Sequence, residues 1–135
     1  MNAYQVYRQT QAQTAAPGEL VVMLYRGAVR FLSTAITAIE GNDIESAHLN
    51  LVRTQAIITE LMESLDLDRG GEIARQLISI YEYLNHRLIQ ANLKKDAEPA
   101  REVEQLLRAL LPSWEEAARQ AAPTLGRPTV VGVVA

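Results

Sequence analysis

Leu20-Val-Val-Met-Leu-Tyr-Arg-Gly-Ala28 lies at the centre of the stretch that decides the fold, Pro17 to Glu40. The polar residues of this stretch recur at spacings of three, four and seven, which places them in one narrow stripe along a helix. They are Glu19, Arg26, Arg30, Ser33, Thr37 and Glu40. An ordinary surface helix buries a face little wider than about 100° and exposes the rest. Here the exposed stripe is the minority, so we expect other parts of the fold, or another molecule, to cover this helix from more than one side.

The composition is that of one globular domain. A chain of 135 residues with 48% hydrophobic residues is long enough to bury a single well-formed core. The net charge is −3 and the basic residues are scattered singly, so the cationic surface that nucleic-acid binding requires is missing. We therefore expect no nucleic acid among its partners.

The absence of cysteine bears on chemistry and location. It excludes disulfides, thiol catalysis and thiolate metal sites, and it fits a reducing cytoplasm. The uncharged apolar runs are shorter than the roughly 18 residues of a membrane span, and residues 1–16 do not resemble a secretory signal. The sequence predicts a cytoplasmic protein with no membrane span.

The chain divides into three parts. Residues 1–16 are mostly polar, and we interpret them as a mobile arm in which Tyr4 and Tyr7 share one face and can anchor in a groove; a frayed terminus is the alternative. Residues 17–121 carry four amphipathic helical patterns with short connections, which predicts an all-α, antiparallel up-down four-helix bundle. Residues 122–135 replace the helical pattern with two prolines, two glycines and four valines, and we expect an irregular tail.

Local signals predict the helix boundaries. Gly41 ends the first helix, and Asn42 with Glu45 resembles a capping box that opens the second. A polar loop over residues 66–71 precedes the third helix, and Asp96 caps the fourth. Pro112 predicts a kink or break near residues 108–112.

Apolar residues at spacings of three and four mark the predicted core face of helices two to four. These positions are Ile44, Ala47, Leu51, Ile58, Leu61 and Leu65, then Ile73, Leu77, Ile80, Leu84, Leu88 and Ala91, and then Val103, Leu106 or Leu107, Leu110, Trp114, Ala117 and Ala121. A second stripe on the third helix mixes apolar groups with amides: Ala74, Ile78, Tyr81, Asn85, Leu88 and Asn92. Such a surface suits the binding of a peptide, with a partly hydrated flank as the alternative.

The sequence offers no support for catalysis. Helical bundles with two metal ions need a Glu-x-x-His pair on each of two helices, and only Glu45-Ser-Ala-His48 has that spacing. Gly70-Gly71 lacks the surrounding pattern of a phosphate-binding loop, and no nucleophile is paired with a base. We expect no enzyme activity, no cofactor and no metal, and a surplus of apolar helix surface suited to holding another helix.

Several separate stretches match one family in its own order. They are Tyr4-x-x-Tyr7, Ala16-Pro-Gly-Glu-Leu20, Met23-Leu-Tyr-Arg-Gly-Ala28, Ile57-Ile-x-Glu-Leu61 with Ser64-Leu65, Gly70-Gly-Glu-Ile73, Leu77-x-x-x-Tyr81, Arg87-Leu88 with Ala91-Asn92, and Glu102-Val103 leading to Trp114. Through these motifs, which cover most of residues 4–120, the sequence resembles the flagellar secretion chaperones of the FliS type.

The resemblance implies a non-catalytic bundle whose partner is the carboxy-terminal segment of flagellin, which it keeps from polymerising and helps deliver to the flagellar export apparatus. It implies a client-binding surface of Leu20, Leu24, Tyr25, Ala28, Ile78, Tyr81, Asn85, Leu88 and Asn92, with Tyr4 and Tyr7 in an arm that covers part of it in the free protein. We expect Met23, Phe31 and Ala35 to face the core instead. Plain core packing is the alternative for each apolar member, and a self-associating bundle such as a homodimer is the alternative for the whole protein.

Four positions depart from the family's usual pattern. Ala16 replaces a common serine, and Gly18 and Arg26 each replace a common acidic residue. Pro112 lies where the last helix normally continues. The valine-rich tail lies outside the resemblance.

Overall fold

A computed structural model describes residues 17–121 of the chain, which form four α-helices: α1 (Pro17–Glu40), α2 (Ile44–Glu63), α3 (Leu67–Lys94) and α4 (Ala97–Ala121). Each helix packs against its neighbours in the chain, and α4 also packs against α1, so the four close into a bundle. Connections of only two or three residues make successive helices antiparallel. The all-α bundle predicted from the sequence is confirmed. The predicted arm and tail lie outside the described residues.

Helix α1 is the most deeply packed element. Every residue of its predicted polar stripe is exposed, and so is Thr34, while most other side chains of the helix are buried or half-buried in the bundle. Within residues 17–121, this is the one helix long and apolar enough to cross a membrane. More than half of its most apolar window, 56%, is buried inside the bundle. Its apolarity is thus accounted for by packing against the other helices of the same chain.

The turn between α1 and α2 differs from the prediction by one residue. The N-cap of α2 is Asp43, whose Oδ1 accepts from the backbone N–H of Ser46 at 3.1 Å. Asn42 adopts a left-handed φ of 58° and reverses the chain. The predicted capping box at Asn42 and Glu45 is therefore wrong, because asparagine tolerates the left-handed region and is used here to end one helix, not to cap the next.

The start of α3 contains an interruption at Gly71. Asp66 caps the first turn by accepting from the N–H groups of Asp68 and Arg69, each at 3.1 Å. Gly71 then has φ 54° and ψ −127°, a conformation that side chains with a Cβ strongly disfavour. The predicted loop over residues 66–71 is thus a short helical turn followed by a glycine hinge, and the long part of α3 begins after it.

Helix α4 begins as predicted and continues further than predicted. Asp96 Oδ1 accepts from the N–H of Glu98 at 3.0 Å, which confirms the cap. Of the predicted kink or break, the break is wrong, because α4 is one helix from Ala97 to Ala121 with Pro112 inside it, and the kink stays a prediction. Pro112 has no N–H to donate to the carbonyl of Arg108, one helical turn earlier. Both residues are exposed, so the proline ring and this unpaired carbonyl lie on the solvent side of α4.

The core follows most of the predicted stripes, with errors at helix starts. Ile44 and Ile73 are 56% and 60% exposed, because each lies in the first residues of a helix or just after its hinge, beyond the reach of the neighbouring helices. On α4 the core residue is Leu107, which is fully buried, while Leu106 is 36% exposed.

Candidate functional site

The centre of the bundle holds three aromatic side chains. The hydroxyls of Tyr25 on α1 and Tyr81 on α3 are 2.6 Å apart and form a buried hydrogen bond. Their rings meet edge to face at 6.4 Å between centroids, and Trp114 of α4 lies 6.0 Å from Tyr25. Burial raises the pKa of both tyrosine hydroxyls above the usual value near 10. This cluster joins three helices across the bundle.

The structure places five of the residues predicted to bind the client inside this core. Leu24, Tyr25, Ala28, Tyr81 and Leu88 are at most 7% exposed. The sequence pattern placed Met23 in the core instead, and that is wrong: Met23 is half-buried and faces an outer groove toward α4. Ala35 is in the core as predicted, and Phe31 packs partly buried against it.

Client contact at the five buried positions stays a prediction, and it would require the bundle to open. The four other predicted residues are Leu20, Ile78, Asn85 and Asn92, and each of them is half-buried and accessible at the surface. Leu20 lies on α1, packed against the edge of the core. The other three lie together on α3.

Ile78, Asn85 and Asn92 lie along the flank of α3 that faces α2. Asn85 Nδ2 donates to Thr59 Oγ1 at 3.3 Å. One helical repeat further on, the Asn92 amide contacts the imidazole of His48, with Nδ2 3.0 Å from His48 Nδ1. Two polar contacts therefore tie α2 to α3.

Exposed apolar side chains lie between those two contacts. By helical register, Val52 falls between His48 and Thr59 on α2, and Ile89 falls between the two asparagines on α3. Val52 is 43% exposed and Ile89 is 45% exposed. We call this surface, formed by Val52, Ile78, Asn85, Ile89 and Asn92, the α2/α3 groove.

The two asparagines of the groove differ in how well they are satisfied. Asn92 Oδ1 accepts from Lys95 Nζ at 2.8 Å. The Oδ1 atom of Asn85 is buried and has no hydrogen-bond partner among the described residues. An unmade hydrogen bond of this kind costs about 1 to 3 kcal/mol. Asn85 thus has an acceptor that is covered in the free protein, and a donor from a bound molecule can satisfy it only when the side-chain amide turns outward.

Sequence reasoning missed Val52 and Ile89 because neither belongs to a core stripe. The available signal was the occurrence of a β-branched residue on the otherwise hydrophilic outer flank of two amphipathic helices. It also missed that His48 and Thr59 hold the asparagines, since pairing between helices depends on the packing.

A second apolar surface lies between α3 and α4. It is a groove of about 290 Å³ whose lining carries no charged residue. We call it the α3/α4 groove, and it is lined by Ile73, Gln76, Leu77, Ile80, Leu110, Ser113, Trp114 and Ala117. The indole of Trp114 therefore contacts the aromatic core on one side and this groove on the other.

Charged residues tie the outer surfaces of the helices together. Arg26 pairs with Glu115 of α4 at 2.7 Å, so its charge is compensated on the α1/α4 side, away from the α2/α3 groove. Glu102 of α4 accepts from Arg87 at 2.6 Å and from Tyr83 at 2.9 Å. Those two hydrogen bonds hold the pKa of the Glu102 carboxyl below its usual range.

The chemistry available in residues 17–121 is that of contact and hydrogen bonding. Within this range no three His, Asp or Glu side chains gather where they could hold a metal ion. His48, the one histidine with Glu-x-x-His spacing, contacts Asn92. Glu45 is exposed.

Comparison with known proteins agrees with this picture of a bundle with exposed grooves. The family described as flagellar protein FliS matches residues 1–121. The flagellar secretion chaperone FliS of Bacillus subtilis is 39% identical over 116 residues, which cover 86% of each chain. Those of Campylobacter jejuni and Salmonella typhimurium are 39% and 36% identical, covering 84% and 83% of this chain and 89% and 84% of their own.

The fold and these similarities define a class of protein, the flagellar secretion chaperones. Within that class the chain belongs to the FliS family. The family match ends at the last residue of α4 and leaves residues 122–135 outside it.

Proposed function

We propose that this chain is a cytoplasmic chaperone that binds the carboxy-terminal segment of flagellin, keeps it from polymerising, and presents it to the flagellar export apparatus without catalysing a reaction. The observation that carries the proposal is the α2/α3 groove, with exposed apolar side chains on both of its helices and a buried acceptor without a partner at Asn85. Names that include the words flagellar secretion chaperone, borne by several relatives, support the flagellar client.

The groove suits an amphipathic segment that becomes ordered on binding. Apolar side chains of the client would cover Val52, Ile78 and Ile89, while a donor of the client would satisfy Asn85 Oδ1. Coupled folding and binding costs about 2 to 5 kcal/mol in ordering, so many modest contacts must contribute. Leu20 on α1 extends the half-buried apolar surface beyond the groove.

Replacing Asn85 with leucine tests the role of the free acceptor. Asn85→Leu removes the unsatisfied oxygen and also the hydrogen bond to Thr59, whose exposed hydroxyl can pair with water instead, so the free energy of unfolding should change little. Affinity for a peptide from the flagellin carboxy terminus should fall about tenfold, because the client's donor loses its acceptor. Calorimetric titration measures the affinity, and Gln105→Leu, which removes an exposed amide on α4, is the matched control. Equal affinities for the two variants would contradict the assignment.

A second pair of variants tests the apolar part of the groove. Ile89→Ser should weaken peptide binding and reduce the magnitude of its negative heat-capacity change. Leu67→Ser is the control, because Leu67 is exposed to the same extent, 46% against 45%, outside the groove. If no binding to the unaltered chain is detected at high micromolar peptide, the flagellin proposal fails.

The amino-terminal arm enters the proposal as a competitor for the client surface. Tyr4 and Tyr7 lie outside the described residues, and we propose that they cover part of this surface in the free protein. Deleting residues 1–12 should then tighten peptide binding, because the competing state is removed. Unchanged affinity would count against the covering arm and leave the flagellin proposal standing.

Self-association is the competing use of the same groove. Exposed Val52 and Ile89 would also suit an interface between two copies. Sedimentation of the free chain separates the two: a stable homodimer that persists when the peptide is added favours self-association.

A further inference from the structure

The α3/α4 groove is a second apolar surface, on the opposite flank of α3 from the α2/α3 groove. Ile73 on its rim is 60% exposed, and Leu77, Ile80 and Leu110 are only partly covered. Its volume is about 290 Å³ and no charged side chain lines it. A natural protein rarely leaves such a surface permanently in water.

The groove lies close to Ala121, the last residue of α4, which residues 122–135 follow in the chain. Ala117 at one end of it precedes the last residue of α4, Ala121, by one helical turn, or about 6 Å. From Ala117 to Leu110 the groove extends about 10 Å along α4. Val130 follows Ala121 by nine residues, which reach about 30 Å when extended. The segment is therefore long enough to turn back and follow the whole groove.

The composition of this segment matches the groove. Val130, Val131, Val133 and Val134 are apolar, Leu125 adds a larger side chain, and the segment has a single charge at Arg127. Pro123, two residues beyond the last residue of α4, has no N–H to donate and so disfavours a further helical turn. Since the groove has no charged lining, an almost uncharged valine-rich segment can enter it without burying an unpaired charge.

Polar atoms at the groove suit a non-helical occupant. Gln76 on α3 and Ser113 on α4 line it and are both exposed. An extended segment has free backbone N–H and C=O groups, and an amide and a hydroxyl can pair with them. The family match ends at residue 121, so this cover would be a feature of this chain and not of the family's shared bundle.

We propose that residues 122–135 fold back onto their own bundle and occupy the α3/α4 groove, with the valines of residues 130–134 against Ile73, Ile80 and Trp114. The tail then shields the apolar surface beside the aromatic core. This inference does not depend on the identity of the client, because it concerns two parts of one chain on the flank away from the α2/α3 groove.

Single cysteines provide the test, because the natural chain has none. Ser113→Cys places a thiol in the groove, and Ser33→Cys places one on an exposed surface of α1 as the matched control. Rates of alkylation are compared in three backgrounds: the full chain, the chain ending at residue 121, and a full-length chain with serine at 130, 131, 133 and 134. The last background keeps the full length of the tail. A faster rate in that background therefore cannot be caused by fraying of α4 at a new chain end.

The expected result is that both tail changes speed alkylation at residue 113 about threefold or more, which corresponds to a tail docked at least two-thirds of the time. The rate at residue 33 should not change. Equal rates at residue 113 in all three backgrounds overturn the proposal. Protection of residue 113 that grows with protein concentration also overturns the proposal, because a second copy of the chain then covers the groove. A parallel rise in the alkylation rate at residue 33 overturns it as well, because it shows that the tail changes loosen the whole bundle.

Discussion

The paired hydroxyls of Tyr25 and Tyr81 offer the sharpest test of how the bundle is held together. They lie 2.6 Å apart, both side chains are at most 1% exposed, and they join α1 to α3 across the core. Replacing one tyrosine with phenylalanine keeps the ring and removes one partner. In Tyr25→Phe the buried hydroxyl of Tyr81 loses its hydrogen-bond partner, whereas in Tyr81→Phe the hydroxyl of Tyr25 still has the indole of Trp114 beside it.

The expected loss in the free energy of unfolding follows from removing only one hydroxyl of the buried pair. Leaving a buried hydroxyl unsatisfied costs about 1 to 3 kcal/mol, so Tyr25→Phe should lower the free energy of unfolding by about that amount. Tyr81→Phe should cost less, because the Tyr25 hydroxyl keeps Trp114 as a partner. Replacing both removes the stranded group, and substitution of two hydrogen-bonded groups by apolar groups of the same shape is nearly neutral. The double variant should therefore lose less than the sum of the single variants, with a coupling of about 1 kcal/mol or more.

Urea unfolding followed by circular dichroism at the helical band measures these free energies without relying on Trp114, whose environment changes in the variants. Tyr83→Phe is the control, because Tyr83 is 45% exposed and its hydroxyl bonds to Glu102 at the surface. Its cost should stay within about 0.5 kcal/mol. Strict additivity of Tyr25→Phe and Tyr81→Phe would refute the reasoning, since it would mean that the two hydroxyls do not depend on each other.

Three further predictions concern pH and the helix ends. Because burial raises the pKa of Tyr25 and Tyr81 in the folded protein, their contribution is complete below pH 10 and is lost above it, where the unfolded tyrosines ionise first. Stability should fall by about 1.4 kcal/mol per pH unit for each tyrosine in alkaline urea titrations, and the double phenylalanine variant should lack this slope. Gly71→Ala should cost about 1 to 3 kcal/mol, because Gly71 has φ 54°. Gly70→Ala, at a position without positive φ, should cost far less in the same urea titration, and equal costs would contradict the hinge. Asp43→Ala should lower the free energy of unfolding by about 1 kcal/mol through loss of the α2 cap, and no change in the same urea titration would contradict the cap.

Several residues of the candidate site could be predicted from the sequence, but not which of their side chains face the surface and which face the core. Ile78, Asn85 and Asn92 were predicted to form a peptide-binding stripe, and they do lie together on one accessible flank of α3. Three residues of the same stripe, Ala74, Tyr81 and Leu88, turn into the core. They differ from their neighbours by a small rotation about the helix axis, which helical periodicity cannot resolve.

The sequence by itself determined the four helices, the narrow exposed stripe of α1, the cap at Asp96 and the family. These follow from local signals, since capping side chains and apolar spacing act within a few residues along the chain. The tertiary structure decided which sides of α1 are buried against which partner, and so placed Tyr25 in the core and Met23 at an outer groove.

Asn50 and Asn85 show the same difference between what local sequence and what tertiary packing decide. Asn50 is satisfied by the backbone carbonyl of Ser46 in its own helix, at 2.9 Å, so its burial needs no partner from elsewhere. Asn85 meets only Thr59 of α2 and keeps a free oxygen. The sequence predicted Asn50 on the exposed face of its helix, and that is wrong, because Asn50 is 7% exposed. Only the packing of α2 against α3 decides which one has an acceptor left over, because a hydrogen bond between helices depends on distances that no local pattern contains.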